Sequence, residues 1–132
     1  MLFMNPAVTP CIVLLEDDPL VRFGQEVLLR DWGYRVVAGR SRAGVFDALE
    51  QEDVEVAAII ADFNLGNGET GVDVARDIAA SASRPIPTVI MSASHGRSSS
   101  AAAREHGFTF LAKPINPDDL QAWLTDATAL PE

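Results

Sequence analysis

A single cysteine, Cys11, rules out an intramolecular disulfide in this chain of 132 residues. It opens an apolar run, so a buried and unreactive thiol is expected. Basic residues are also scarce: nine arginines and one lysine stand against 19 acids, for a net charge of −9. That balance excludes a broad basic face for nucleic acid or anionic membrane. No apolar run approaches the roughly 18 residues of a membrane span. The N-terminus lacks the basic-then-apolar pattern of a signal peptide, so a cytoplasmic location is expected. There is no internal repeat and no Gly-x-x-x-x-Gly-Lys phosphate loop; Gly66, Gly68 and Gly71 read as turn glycines.

The chain does contain short apolar runs that end in chemistry. Ile12-Val13-Leu14-Leu15 is followed by Glu16-Asp17-Asp18, and the run 56–61 by Asp62. Thr88-Val89-Ile90-Met91 leads to Ser92, and the run 108–112 leads to Lys113-Pro114, which holds the chain's one lysine. If these runs are parallel strands, their C-terminal ends share one rim of a sheet, where open α/β sheets bind ligands. Carboxylates, a hydroxyl and an ammonium gathered there suit a divalent metal and a phosphoryl group, with a carboxylate free to attack.

Helical stretches alternate with the runs. Asp18-Pro19 is a helix start, with Leu20, Phe23, Val27 and Leu28 at helical spacing and Gly33 as the stop. Residues 34–38 read as a second strand, and Ser41 as the cap of a helix bearing Val45, Ala48 and Leu49. A third helix carries Val74, Ala75 and Ile78. A fourth, roughly 98–106, opens on serines of low helix propensity. Asn116-Pro117-Asp118-Asp119 starts a fifth, with Leu120, Trp123, Leu124 and Ala127 on its apolar face. Residues 1–10 are expected to form a loose arm and 11–130 one domain.

Near-continuous apolar strands alternating with helices imply an α/β fold, a parallel sheet covered on both faces. Right-handed crossovers limit the topology to a few doubly wound forms. The second strand contributes no site group. That agrees with the flavodoxin-like order 2-1-3-4-5, in which strand 2 is an edge, with five strands and five helices. Asp18 is expected to cap the first helix rather than bind metal. His95 and His106 read as surface residues.

Four segments together carry a resemblance: Leu14-Leu15-Glu16-Asp17-Asp18-Pro19, Ile60-Ala61-Asp62-Phe63-Asn64-Leu65, Val89-Ile90-Met91-Ser92-Ala93 and Phe110-Leu111-Ala112-Lys113-Pro114. In order and at this spacing they resemble the receiver domains of bacterial two-component response regulators. Gly68-Glu69-Thr70-Gly71 is similar to receivers fused to hybrid sensor kinases. The resemblance implies that Asp62 accepts a phosphoryl group from a histidine kinase or a histidine phosphotransfer protein. It implies Mg²⁺ held directly by Asp17 and Asp62, by Glu16 through water, and by the main-chain carbonyl of Asn64. It further implies that Ser92 reaches the phosphoryl oxygen, that Lys113 pairs with the phosphoryl group, and that Phe110 is the aromatic switch.

The chain departs from the pattern in places. Glu16 stands where the family often has aspartate. The fifth strand and helix lack the charges with which some receivers dimerise. Two other functions compete. A Mg²⁺-dependent aspartyl-phosphate hydrolase would want Asp-x-Asp where Asp62-Phe63-Asn64 stands. A phosphorylation-independent interaction domain would not need both Asp62 and Lys113. The protein is expected not to be an enzyme, beyond catalysing its own phosphorylation and dephosphorylation.

Overall fold

A computed structural model describes residues 9–93 and 97–129. Five strands and five helices alternate: β1 (Cys11–Leu15), α1 (Pro19–Asp31), β2 (Arg35–Gly39), α2 (Arg42–Glu52), β3 (Val56–Asp62), α3 (Gly71–Ala80), β4 (Thr88–Ser92), α4 (Arg97–Glu105), β5 (Thr109–Ala112) and α5 (Pro117–Ala127). The sheet is parallel throughout, in the order β2-β1-β3-β4-β5. This is the flavodoxin-like fold expected from the sequence. Most of the expected arm (1–8), His95 and Leu130 lie outside the described residues.

The strands read as unbroken apolar runs because both faces of the sheet are covered. Alternate residues feed two cores. Val13, Leu15, Ile59, Ala61 and Ile90 pack with α2, α3 and α4 residues such as Val45, Val74, Ile78 and Ala103. Ile12, Leu14, Ala58, Ile60, Val89 and Met91 pack with Leu29 of α1 and Leu120 and Leu124 of α5. Cys11 is buried, and burial pushes its thiol pKa up, as expected of an inert side chain. Among the described residues, no helix is long and apolar enough to cross a membrane.

Helix starts follow the sequence signals. Asp18 caps α1 by accepting from the backbone N–H groups of Leu20 and Val21, at 2.9 and 3.3 Å. Ser41, Thr70 and Asn116 cap α2, α3 and α5 in the same way. Strand ends differ in ways that matter. β3 and β4 each run one residue further than their apolar runs, so Asp62 and Ser92 belong to the sheet. β2 and β5 each begin one residue later than expected, at Arg35 and Thr109. α4 begins at Arg97.

The face of α1 is a correction. Of the four residues read at helical spacing, Leu20, Phe23 and Val27 are 82%, 65% and 51% exposed, and only Leu28 is partly buried. The buried residue is Leu29, with Gln25, Leu28 and Trp32 partly buried beside it. Apolar residues wrap most of this helix, so periodicity alone does not fix its rotation. On the inward side Leu29 packs in the core, and the Arg22 Nη1 on that same side donates to the Glu16 carbonyl at 2.8 Å. Gln25 Oε1 is buried with no hydrogen-bond partner among the described residues.

Candidate functional site

The site lies at the C-terminal ends of β1, β3, β4 and β5, beside the crevice that opens between β1 and β3, where the strand order reverses. Glu16 follows β1, and its N–H continues the pairing with β2 by donating to the Gly39 carbonyl at 3.1 Å. Glu16 is 1% exposed, yet it carries a carboxylate. Both its oxygens are engaged: Oε2 accepts from the Asp18 N–H at 3.1 Å, and Oε1 lies 3.4 Å from Lys113 Nζ. Desolvation raises its pKa, and the Asp62 charge adds to that, while the Asp18 N–H and Lys113 oppose it.

Asp62 ends β3. Its Oδ2 accepts from Lys113 Nζ at 2.9 Å, and its Oδ1 from the Asn64 N–H at 3.4 Å. Lys113 arrives from β5, two strands away, because its N–H donates to the Ser92 carbonyl at 2.9 Å, one step past the ladder. The peptide between Lys113 and Pro114 is cis. Burial alone would lower the Lys113 pKa, but the hydrogen bond and charge of Asp62, with those of Glu16, outweigh it and the net shift is upward.

Carboxylate oxygens of Glu16, Asp17 and Asp62 all lie within 4.8 Å of one another. Asp17 is exposed and the other two are buried, so the group opens to solvent on one side. Hard oxygen donors clustered at an open rim fit Mg²⁺, which keeps several waters. Asn64 is exposed beside them and pairs with Thr70 in an isolated antiparallel bridge. That bridge closes a loop whose tip is an Asn67-Gly68 turn, with φ of 52° and 79° and Glu69 N–H donating to the Gly66 carbonyl at 3.0 Å. Ser92 is 2% exposed at the end of β4, and Phe110 of β5 is half-buried against the core on the α2, α3 and α4 side. Asp18 serves as the α1 cap, as expected, and His106 is exposed.

Sequence reasoning missed two residues. One is Arg22, bonded to the loop that carries the acids. Its signal was its place one turn after the Asp18 cap. The other is Gly71, taken only as a turn glycine. A β-carbon there would fall 2.1 Å from the Asp62 carbonyl oxygen, so α3 can approach the backbone of Asp62 only through glycine.

Residues 12–125 match the response regulator receiver domain family. The phyllosphere-induced regulator PhyR of Methylorubrum extorquens is 26% identical over 117 residues, which cover 88% of this chain and 42% of PhyR. The chain therefore spans less than half the length of that curated relative. A receiver domain protein from Clostridium thermocellum superposes with a TM-score of 0.79 at 18% identity, covering 90% of this chain and 94% of the other. The anti-anti-sigma factor PhyR from Bartonella quintana gives a TM-score of 0.71 at 24% identity, covering 91% of this chain and 47% of the other. With the family matched over nearly its whole length, the chain belongs to the response regulator receiver domains.

Proposed function

We propose that this receiver domain is a phosphoacceptor, taking a phosphoryl group onto Asp62 from the phosphohistidine of a histidine kinase or histidine phosphotransfer protein. The observation that carries the proposal is the Asp62 carboxylate at the rim, 2.9 Å from the Lys113 ammonium and within 4.8 Å of the Glu16 and Asp17 oxygens. An Asp62 oxygen attacks phosphorus in line as the phosphorus–nitrogen bond to the donor imidazole breaks. The product is an acyl phosphate and the freed imidazole takes up a proton. Phosphoryl transfer asks mainly for positioning and charge neutralisation.

Asp17 and Asp62 would hold Mg²⁺ directly, Glu16 through water, and Asn64 through its main-chain carbonyl; the bound cation would neutralise phosphoryl oxygens. Lys113 supplies the other positive charge. The Glu16–Lys113 contact of 3.4 Å keeps the ammonium at the rim when Asp62 changes state. The β3–α3 turn fixes Asn64 beside Asp62.

Output would follow from the phosphoryl group drawing Ser92 toward it and freeing space for Phe110, which biases the α4-β5-α5 face between two states. The kinship with PhyR, one form of which is described as an anti-anti-sigma factor, favours a protein as the downstream partner over nucleic acid. The acidic composition agrees with that. Asn64 stands where an aspartyl-phosphate hydrolase would need a second acid, so turnover of phosphomonoesters is not part of the reading. Incubation with a small acyl-phosphate donor tests it. Mg²⁺-dependent uptake of one phosphoryl group, slowly lost again, is expected; no uptake at millimolar Mg²⁺ would refute the proposal and favour phosphorylation-independent binding.

A further inference from the structure

We infer that Arg22 of α1 is a positioning residue for the acidic pair, acting through the backbone of Glu16; the inference rests on the phosphoacceptor reading of the same rim. Glu16 is the first residue past β1, and its N–H still pairs with Gly39 of β2. Its carbonyl has left the ladder, and Arg22 Nη1 donates to it at 2.8 Å. Arg22 is half-buried between the helix and this loop, and its own N–H donates to the Asp18 carbonyl at 2.8 Å. The main-chain bond is the first of the helix and any residue here would make it, so what Arg22 adds is the side-chain bond to the Glu16 carbonyl.

The Glu16 carbonyl and the Asp17 N–H belong to one rigid peptide plane. Holding the carbonyl therefore sets the direction from which Asp17 leaves the loop. Asp17 is the exposed member of the carboxylate group, without the packing that immobilises Glu16 and Asp62. Its aim depends on the course of the main chain as well as on the neighbouring Glu16 side chain. A guanidinium under a run of three consecutive acids also offsets part of their mutual repulsion. Groups that orient metal ligands from behind are commonly worth 10–100-fold in metal affinity. A lysine in this place could make one bond to the carbonyl but lacks the planar fork that fixes its direction.

The test is an NMR titration of the full chain with MgCl₂, following the Asp17 and Asp62 amides in the wild type, Arg22→Ala, Arg22→Lys and Asp17→Asn. Arg22→Ala is expected to shift the Glu16 and Asp17 amides in the metal-free protein and to raise the Mg²⁺ Kd about tenfold or more. Arg22→Lys should recover part of that loss. Phosphorylation of both variants by a small-molecule donor should approach the wild-type rate once Mg²⁺ saturates, because Arg22 touches no reacting atom. Wild-type Kd values in both variants, with only melting temperature lowered, would overturn the inference. If Arg22→Ala does not fold, a wild-type Kd in Arg22→Lys overturns it alone. Wild-type protein that responds to Mg²⁺ no more than Asp17→Asn would instead refute the metal reading of the rim, and the inference would fall with it.

Discussion

Lys113 and Asp62 meet at 2.9 Å although their strands, β5 and β3, are separated by β4. The pair closes over the end of the intervening strand, where Ser92 lies. One ammonium therefore faces two buried carboxylates and one hydroxyl-bearing strand end. Lys113→Gln removes that charge and keeps a hydrogen-bonding side chain. Phosphorylation of Asp62 by a small-molecule donor should slow about 10²-fold, the usual cost of losing a fixed group that stabilises developing charge. The rate at saturating Mg²⁺ checks this.

Stability of the metal-free protein should depend on pH through Glu16. Its pKa in the folded chain is raised above the usual 4.5, chiefly by desolvation. Between those two values the folded state binds more protons than the unfolded one, so stability falls as pH rises through that window. Glu16→Gln should flatten the fall and leave the variant more stable than wild type at neutral pH. Lys113 acts at the other end: its pKa is raised above 10.5, so its contribution is complete below that value and is lost only in stronger alkali. Urea denaturation between pH 4 and 8, in chelator, decides the Glu16 part.

Mg²⁺ should raise the melting temperature in the wild type, since a ligand that binds only the folded state stabilises it. Asp17→Asn should weaken that response and raise the metal-free melting temperature, because one of three clustered carboxylates loses its charge. Thermal melts with and without millimolar Mg²⁺ measure both effects.

The two sides of α1 should respond very unequally to truncation. Leu29 is 1% exposed, so Leu29→Ala is expected to cost about 2–5 kcal/mol. Phe23 is 65% exposed, so Phe23→Ser should change stability by less than about 0.5 kcal/mol. Gln25→Met should be neutral or stabilising, because the buried Oε1 has no partner to lose. Chemical denaturation of the three variants is sufficient.

The rim was legible in the sequence because β1, β3, β4 and β5 are apolar runs that each give way abruptly to a charged or hydroxyl residue. Glu16, Asp17, Asp62, Ser92 and Lys113 could thus be placed on one edge once strand order was argued. Asp18, Ser41 and Asn116 were legible as caps, being local signals. The facing of α1 was not. Leu20, Val21, Phe23, Val27, Leu28 and Leu29 surround most of the helix, and the inward side is set by tertiary contacts, the packing of Leu29 in the core and the bond from Arg22 to the Glu16 carbonyl beside it. Gly71 was read as a turn residue because its real constraint, the Asp62 carbonyl across the loop, lies nine positions earlier in the chain.

The coupling from the rim to the distant face has its own check. Beryllofluoride, a phosphoryl mimic, should shift the NMR signals of Ser98 to Glu105 in α4 and of Phe110. Ser92→Ala should keep phosphorylation at Asp62 and reduce those shifts. Shifts of full size in Ser92→Ala would show that Ser92 is not the coupling residue.

The central claim is that Asp62 is the phosphoacceptor, and mapping the modified residue tests it most directly. The protein is phosphorylated with a small-molecule donor and Mg²⁺, the acyl phosphate is reduced by borohydride, and the peptides are read by mass spectrometry. The account predicts modification at Asp62 alone, and none in Asp62→Asn. An acyl phosphate on another carboxylate of the wild-type protein, or undiminished phosphorylation of Asp62→Asn, would contradict it.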